Sequence, residues 1–374
     1  MVSSAWSKGS ASLLGRGGLF PTFVLTLFVG SMAHADGAST SYRQARSVPI
    51  SGVGAYYDYL FVDQATRRLF VSYGGEVVVL NSETLAEVGR LRGQKKVHGI
   101  ASGANRLFVT DGGGDVVRVF AANDLAPIGE VKAGRNPDAV LFEPATKQVF
   151  AFNHTGGDVT IFDAVSLKVA ATVPLGGEPE FGRTDGHGIV FVNVEDKSEL
   201  VRLDARTRAV TGRFPLAPCA EPTGLAYDVP HGRLFAGCGN EKLAVVDAAN
   251  GKVLTTLPIG KGVDATDFDP KTGNILSSCG EDGTVAVIHQ DGADRYHAAG
   301  MVDTVSHAKT LAVDHVSGRV FLSAGRFAAS TAGSARPSMV PGSLSLLVYD
   351  PAGVTANAGD QTKAHDRNPA SPKK

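Results

Sequence analysis

Residues 222–260 read PTGLAYDVPHGRLFAGCGNEKLAVVDAANGKVLTTLPIG, and this stretch decides the fold. Apolar residues alternate or cluster over short runs, and the breaks between the runs carry Gly, Pro, Asn and Asp, which supply the backbone angles that tight turns need. The pattern predicts four short strands and no helix. The strands are residues 223–227, 233–236, 242–247 and 252–257, with a turn at 228–232 between the first two.

The same arrangement recurs seven times between Tyr42 and Asp350, with a period of about 42 residues. A unit of this length without a helix cannot cover its own apolar faces and needs its neighbours. The sequence therefore predicts an all-β fold, a seven-bladed β-propeller with four-stranded antiparallel blades. The central residues of the seven second strands are Phe70, Phe108, Phe150, Phe191, Phe235, Leu276 and Phe321, at steps of 38, 42, 41, 44, 41 and 45 residues.

The last copy stops after its third strand, at residues 346–350. Its missing fourth strand is expected at the other end of the chain, because RSVPI at 46–50 matches the fourth-strand phrases of other copies. Such a strand closes the ring without leaving an open sheet edge. The last copy also carries an Ala/Ser/Gly/Pro-rich stretch at 325–342, which predicts a long loop. The matching phrases lie at 171–175, 212–216 and 255–259.

The N-terminal segment, residues 1–35, has the pattern of a signal peptide. Lys8 and Arg16 give a basic start without acids, a short apolar run follows, and Ala33-His34-Ala35 fits a small-x-small cleavage site. We expect cleavage after Ala35, a propeller domain at 36–353 and a disordered tail at 354–374. The mature chain is then periplasmic or secreted, and it contains no apolar stretch long enough to be a transmembrane segment.

Composition narrows the classes of partner. Without Lys8 and Arg16 the 36 basic residues fall to 34 against 37 acids, a formal charge of −3 for the mature chain. Nucleic-acid binding depends on clustered Lys and Arg, so it is not expected here. The one tryptophan, Trp6, lies in the signal segment. We expect a monomer that binds a small ligand or a protein of the cell envelope.

The second strands carry a recognisable phrase. LFVTD at 107–111, VFAFN at 149–153 and VFVN at 190–193 are followed by Gly-rich turns and third strands that end in Asp. These copies resemble the YVTN repeats of the YncE-like family of exported seven-bladed propellers, over roughly residues 42–353. The resemblance implies a binding or scaffold role in the cell envelope. The copy at 275–279 departs from the pattern because it lacks the aromatic residue.

Candidate binding residues lie where the chain enters the first strand of each copy. In a propeller these positions share one face, around the mouth of the central channel. Such a ring either holds a divalent cation or a cationic ligand through its oxygens, or caps strand ends and holds channel water. The segment Tyr56-Tyr57-Asp58-Tyr59 adds an aromatic surface beside it, for which Tyr57 is the candidate binding residue, while the Tyr59 ring is expected in the blade core. The predicted ring consists of Asp58, His98, Asp138, Glu180, Thr223, Asp264 and Lys309.

The cysteines and histidines suggest little further chemistry. Three cysteines allow one disulfide, and the pair Cys219–Cys238 is favoured over Cys238 with Cys279 because both lie on the channel-mouth face. The histidines share no offset within the repeat, so no His-ligated metal centre is predicted. The chain has no Walker loop, nucleophile elbow or zinc-protease motif, and no catalytic residue is assigned.

Two functions therefore remain open at the level of sequence. The favoured one is a periplasmic binding or scaffold propeller that uses the channel-mouth face and the 325–342 loop, and its cofactor is left open between none and a divalent cation at the channel mouth. The alternative is an enzyme, either a metal-dependent lactonase-like hydrolase or a redox subunit with a non-covalent cofactor. Its support is the ring of acidic residues.

Overall fold

The computed structural model describes residues 42–328 and 337–352. In this part of the chain, seven four-stranded antiparallel sheets form the blades of a propeller. The prediction of a seven-bladed β-propeller is confirmed. The predicted signal peptide at 1–35 and tail at 354–374 lie outside the described residues, as does the centre of the predicted loop at 325–342.

The strands follow one another around the ring, four to a blade, and a short 3₁₀ turn lies at Glu195–Lys197. In chain order the strands are β1 (Tyr42–Pro49), β2 (Tyr57–Asp63), β3 (Arg68–Tyr73), β4 (Glu76–Asn81), β5 (Glu87–Arg92), β6 (Val97–Gly103), β7 (Arg106–Asp111), β8 (Val116–Ala121), β9 (Pro127–Lys132), β10 (Pro137–Glu143), β11 (Gln148–Asn153), β12 (Asp158–Asp163), β13 (Val169–Pro174), β14 (Pro179–Thr184), β15 (Ile189–Val194), β16 (Glu199–Asp204), β17 (Ala209–Pro215), β18 (Pro222–Asp228), β19 (Arg233–Cys238), β20 (Lys242–Asp247), β21 (Val253–Pro258), β22 (Val263–Asp269), β23 (Asn274–Cys279), β24 (Thr284–Gly292), β25 (Arg295–Asp303), β26 (Lys309–Asp314), β27 (Arg319–Ala324) and β28 (Ser345–Pro351).

The core of each blade is its second strand, which is buried on both faces. This explains why these strands read as continuous apolar runs, whereas the outermost strands such as β13 and β17 alternate between exposed and half-buried residues. The central residue of each second strand is at most 2% exposed. Neighbouring blades cover one another's apolar faces, as the long repeat requires.

Blade 7 is built from both ends of the described chain. Strand β1 pairs antiparallel with β28, from Tyr42 opposite Pro351 to Pro49 opposite Ser345. The Tyr42 ring is buried, and the Ile50 backbone N–H donates to the Leu344 carbonyl. The N-terminal strand therefore completes the last blade, as the sequence predicts.

A β-bulge recurs at the start of the first strand of all seven blades. In each one the pairing with the second strand shifts just after the first strand begins, between Tyr57 and Leu60 in β2 and between Pro137 and Val140 in β10, for example. The other five first strands shift in the same way. A bulge leaves an extra residue unpaired and re-aims its side chain. The residues at these bulges are the ones that line the channel mouth.

The described ends of the long loop in blade 7 lie beside blade 1. Phe327 and Met339 form an isolated antiparallel bridge, and the Phe327 ring contacts Tyr57 and His307. Met339 is buried in the core cluster that joins the two blades. Among the described residues, no helix has the length and apolar character that spanning a membrane would need.

Candidate functional site

The seven predicted mouth residues occupy one structural position. Six of them lie within the bulge of their blade's first strand, and Lys309 is the paired residue directly before the shift in β26, so the repeat brings seven side chains to equivalent positions. Three of them, from blades 1, 2 and 3, are buried and converge into a compact cluster: Asp58, His98 and Asp138, each at most 8% exposed. We call these three residues, together with Tyr56, the mouth cluster.

The mouth cluster is organised around a single nitrogen. His98 Nδ1 lies 2.5 Å from Asp58 Oδ2, 2.7 Å from Asp138 Oδ1 and 2.7 Å from the Tyr56 hydroxyl. The Tyr56 hydroxyl also donates to Asp58 Oδ2. The other ring nitrogen of His98 is buried and has no hydrogen-bond partner among the described residues. All of the polar contacts of the imidazole are therefore made through Nδ1.

Burial and charge shift the pKa values of this cluster. Burial alone would lower the pKa of His98, but hydrogen bonds and charges from Asp138 and Asp58 outweigh it and raise the pKa to about 9. Burial opposes ionisation of Asp58, yet Lys309 and His98 hold its pKa below the usual range. The pKa of Tyr56 is raised, first by burial and then by the neighbouring carboxylates. At neutral pH the cluster therefore pairs one imidazolium with two buried carboxyl groups.

Lys309 connects the cluster to the far side of the ring. Its Nζ lies 3.8 Å from Asp58 Oδ1, and the charge of Asp264 is the main reason that its pKa is raised. Asp264 accepts a hydrogen bond from the Thr310 backbone N–H at 3.0 Å, while burial raises its pKa. Lys309 thus offsets negative charge beside Asp58 and Asp264, and a second ammonium group, that of Lys96, lies 4.9 Å from the centre of the Tyr56 ring.

Glu180, from blade 4, forms a separate pair with a histidine. His154 Nδ1 lies 3.0 Å from Glu180 Oε1, and Nε2 lies 4.0 Å from Glu178. Contact with Glu180 raises the pKa of His154 to about 9, and burial raises the pKa of Glu180 to about 8. Because a proton on either partner satisfies the other, this pair keeps at least one proton at neutral pH.

Thr223 is the ring member that joins neither group. Its hydroxyl donates to the Val263 carbonyl of the next blade at 3.2 Å. Thr223 therefore caps a strand end, which is one of the two roles that the sequence analysis considered for the ring. The structure therefore divides the predicted ring into the mouth cluster, the Lys309 and Asp264 side, the Glu180 pair and one capping threonine.

Tyr57 needs a correction. Predicted to add an aromatic surface to the mouth, it is 2% exposed, its ring packs in the core between blades 1 and 7, and its hydroxyl donates to the His307 carbonyl at 2.5 Å. The side chains of a strand alternate between faces, so the neighbours Tyr56 and Asp58 point toward the channel instead. The extra residue at the bulge also brings in Tyr59, whose hydroxyl donates to Asp138 Oδ2 at 3.1 Å.

His154 was not predicted as part of the site, whereas Tyr56 was expected only as part of the aromatic segment beside Asp58 and Tyr59 was expected in the blade core. Tyr56 and Tyr59 flank Asp58 in sequence, but the position of the bulge cannot be read from the pattern of apolar residues. His154 follows β11 directly, in a loop between second and third strands that faces the mouth. Its position in a loop of the mouth face could have marked it as a candidate site residue. It was set aside because the histidines do not share one position within the repeat.

The cysteines lie beside blade 5. Cys219 and Cys238, the pair favoured from the sequence, are joined as a disulfide with a Cα–Cα distance of 5.7 Å. Cys279 is a buried free thiol in the neighbouring blade, where burial raises its pKa. A buried thiol with a raised pKa is a packing residue and a poor nucleophile.

Comparison with known proteins supports the β-propeller fold but assigns the chain to no family. No protein-family model matches the chain, and a search of curated proteins finds no match either. Among solved structures, the chain is similar to the structure of U3-55K, with a TM-score of 0.66 and 10% sequence identity over 83% of this chain and 99% of that one. A likeness at this identity shows the β-propeller fold alone, and that fold is compatible with a binding or scaffold role.

Proposed function

We propose that this protein is an exported, YVTN-type binding propeller whose mouth cluster takes a divalent transition-metal ion. One observation carries the proposal: three oxygen atoms, from two blades, lie within 2.7 Å of a single imidazole nitrogen contributed by a third. The export signal and the YVTN resemblance support the location and the binding role. The small ligand or envelope protein that the mouth face would meet is part of the same proposal.

More oxygen atoms lie close to His98 Nδ1 than this nitrogen can engage in hydrogen bonds. An imidazole nitrogen either donates one proton or offers one lone pair, so it forms one good hydrogen bond at a time. Three oxygens at Nδ1 therefore compete for one interaction. A metal ion satisfies all of them at once, because the same four atoms become its ligands.

The donor set fits a particular class of ion. Two carboxylates, one imidazole and one phenol oxygen suit Zn²⁺ or Mn²⁺ better than Ca²⁺, which prefers a larger shell made of oxygens alone. Ligand atoms about 2.0–2.2 Å from a tetrahedral ion lie about 3.3–3.6 Å from one another. The contacts within the cluster would have to lengthen by about 1 Å to accept the ion. Binding would displace the His98 proton, so it should strengthen as pH rises.

A metal titration with matched variants tests this proposal. Protein stripped with EDTA and dialysed is titrated with Zn²⁺ and with Mn²⁺ in a calorimeter, and we expect one equivalent to bind with release of a proton. His98→Gln should weaken binding at least about tenfold. The control is His297→Gln, because His297 Nδ1 also lies 2.7 Å from a carboxylate, that of Asp291, but on an exposed hairpin.

Two results would contradict the metal proposal. One is that His98→Gln binds the ion as tightly as the unmodified protein. The other is that His297→Gln abolishes all binding, which would place the metal on the β24–β25 hairpin. Loss of folding in His98→Gln is checked by its thermal transition, and Asp138→Asn serves as a second variant of the same cluster.

A metal-dependent hydrolase is a second candidate, and one observation favours it. Glu180 is a carboxyl group whose pKa is raised by burial, it lies 3.0 Å from His154 Nδ1, and it is on the same face as the mouth cluster. Such a group suits general acid–base catalysis. Hydrolysis of a panel of γ- and δ-lactones by Zn²⁺-loaded protein tests it. Glu180→Gln should lower kcat at unchanged metal content, and no turnover of any lactone would leave the binding role alone.

A further inference from the structure

Two aromatic rings meet near the centre of the propeller. Tyr59 comes from blade 1 and Phe181 from blade 4, and their ring centroids lie 4.6 Å apart. They follow the mouth residues Asp58 and Glu180 directly in sequence. Both rings line a cavity whose wall contains no residue of the mouth cluster.

This cavity has a volume of about 350 Å³ and is lined by the first strands of the blades. Much of its wall is apolar and includes Leu60, Ile100, Leu141 and Leu311. A few polar side chains interrupt this wall. An apolar cavity of several hundred Å³ with a few convergent polar groups is the usual form of a small-molecule site. The polar side chains are Gln64, Ser102, Arg183, Thr184, Asp267 and His315.

Arg183 is the cation of this cavity, and its guanidinium is poorly satisfied. It donates to the carbonyl of Gly182 at 3.1 Å and to that of Thr266 at 3.5 Å, and it lies over the Phe181 ring at 5.6 Å. A guanidinium has five N–H donors, so most of them are free to face the cavity. The side chain keeps 31% of its surface accessible, within the wall of the cavity.

The nearest carboxylate does not neutralise Arg183 closely. Asp267 Oδ1 is 4.0 Å from the guanidinium. Asp267 is instead tied to the wall, since its oxygens accept backbone N–H groups of Phe268 at 3.0 Å and Val313 at 3.1 Å. Burial accordingly lowers the pKa of Arg183, because Asp267 only partly offsets the hydration that the cation has lost.

A second unsatisfied group lines the same cavity. The Nε2 atom of His315 is buried and has no hydrogen-bond partner among the described residues. The His315 backbone N–H is held at 3.0 Å by Gln64, whose amide in turn donates to the Val313 carbonyl at 2.9 Å. The wall around His315 is therefore fixed, while its imidazole retains a free polar atom.

We propose that this cavity binds a small organic carboxylate with an apolar body. Its carboxylate pairs with Arg183, in the planar geometry that a guanidinium favours, and its body packs against the leucine and isoleucine side chains of the wall. The proposal does not depend on metal binding at the mouth, because no residue of the mouth cluster lines this cavity. It assigns the mouth cluster and the cavity to ligands of opposite charge.

The probe series is benzoate, 4-bromobenzoate and 4-methylpentanoate, each compared with its neutral amide, in buffer containing EDTA so that the mouth carries no metal. We expect calorimetric binding of at least one carboxylate and at least about tenfold weaker binding of its amide. Arg183→Met should lose this preference. Arg202→Met is the matched control, because Arg202 also lies 5.6 Å from a phenylalanine ring, that of Phe214, but on the outside of blade 4.

The site itself is located with the bromine atom. Crystals soaked in 4-bromobenzoate should show anomalous density in the cavity beside Arg183, a result that needs no variant to fold. The proposal is overturned if no carboxylate of the series binds at millimolar concentration, if the amides bind equally well, or if the bromine lies elsewhere. Arg183→Met binding the carboxylates like Arg202→Met would overturn it as well.

Discussion

Each blade contributes one residue to each of two sets of seven equivalent positions, and the two sets differ in how much their residue types vary. The centre of each second strand carries one kind of residue, a buried Phe in six blades and Leu276 in the remaining one. The bulge of each first strand carries acids in four blades and His, Thr and Lys in the other three. We call these the phenylalanine layer and the mouth ring. Each has seven members related by the repeat, and only the mouth ring varies in charge.

The difference shows how a repeat protein separates folding from chemistry. Every blade must bury the same face against its neighbour, so the same packing requirement selects a large apolar residue at this position in all seven blades. The bulge residue faces the channel, where a blade makes few packing demands, so each position is free to take a different functional group. Function should therefore be sought where the copies disagree, and stability where they agree.

Removing residues 42–52 should have the largest effect, because all seven blades are needed for either layer to exist. The deletion takes away β1, exposes the backbone edge of β28 and removes the buried side chains of Tyr42 and Ile50. We expect the free energy of unfolding to fall by more than about 5 kcal/mol, a large share of the stability of a domain. Chemical denaturation monitored by circular dichroism measures it.

A peptide of residues 42–52 added in trans provides the control. If β1 acts by closing the ring, the peptide should raise the melting temperature of the truncated protein in a concentration-dependent way. A truncated protein that melts at the same temperature as the intact one would mean that the ring does not depend on this closure.

A pair of substitutions within blade 5 compares the two layers directly. Phe235 is fully buried, so Phe235→Ala should cost about 3–5 kcal/mol of stability through lost contacts and a cavity. Thr223→Ala removes one hydrogen bond to the Val263 carbonyl and should cost about 1 kcal/mol. Urea denaturation of both variants gives the two values. Equal costs would show that the mouth ring carries as much of the fold as the phenylalanine layer does.

The fold was predictable from the sequence because its signals are local and repeated. The strand pattern of residues 222–260 and the RSVPI phrase at 46–50 can be recognised in the sequence without any knowledge of tertiary contacts. The positions of the mouth ring were predictable for a related reason, since counting twelve residues back from the centre of the second strand reaches the equivalent position in five blades, and shorter turns move it to His98 and Glu180 in the other two.

The chemistry of the site was less predictable, because it depends on direction and distance across blades. Which of the tyrosines at 56, 57 and 59 faces the channel is decided by the bulge in β2, and the bulge leaves no mark in the apolar pattern. The contact between His154 and Glu180 joins a loop of blade 3 to a strand of blade 4. Arg183 was not singled out, because nothing in its sequence context shows that it ends beside an empty volume.

An effect no larger than the cost of Phe235→Ala is a pH dependence that belongs to the mouth ring and not to the phenylalanine layer. The pKa of His98 is raised from 6.5 to about 9, so the folded state binds this proton more tightly than the unfolded state does. The stabilisation is fully present below about pH 6.5 and is lost as pH rises through about 9, for a total of about 3 kcal/mol. His154 and Glu180 have raised pKa values and act in the same direction.

Melting temperatures measured between pH 6 and pH 10 in the presence of EDTA should therefore fall with pH, and less steeply in His98→Gln. Thr223→Ala is the reference variant, because it alters the same ring without removing a titrating group. If His98→Gln and Thr223→Ala show the same slope, the proton of His98 does not stabilise the fold. The mouth ring would then differ from the phenylalanine layer in composition but not in its energetic coupling to folding.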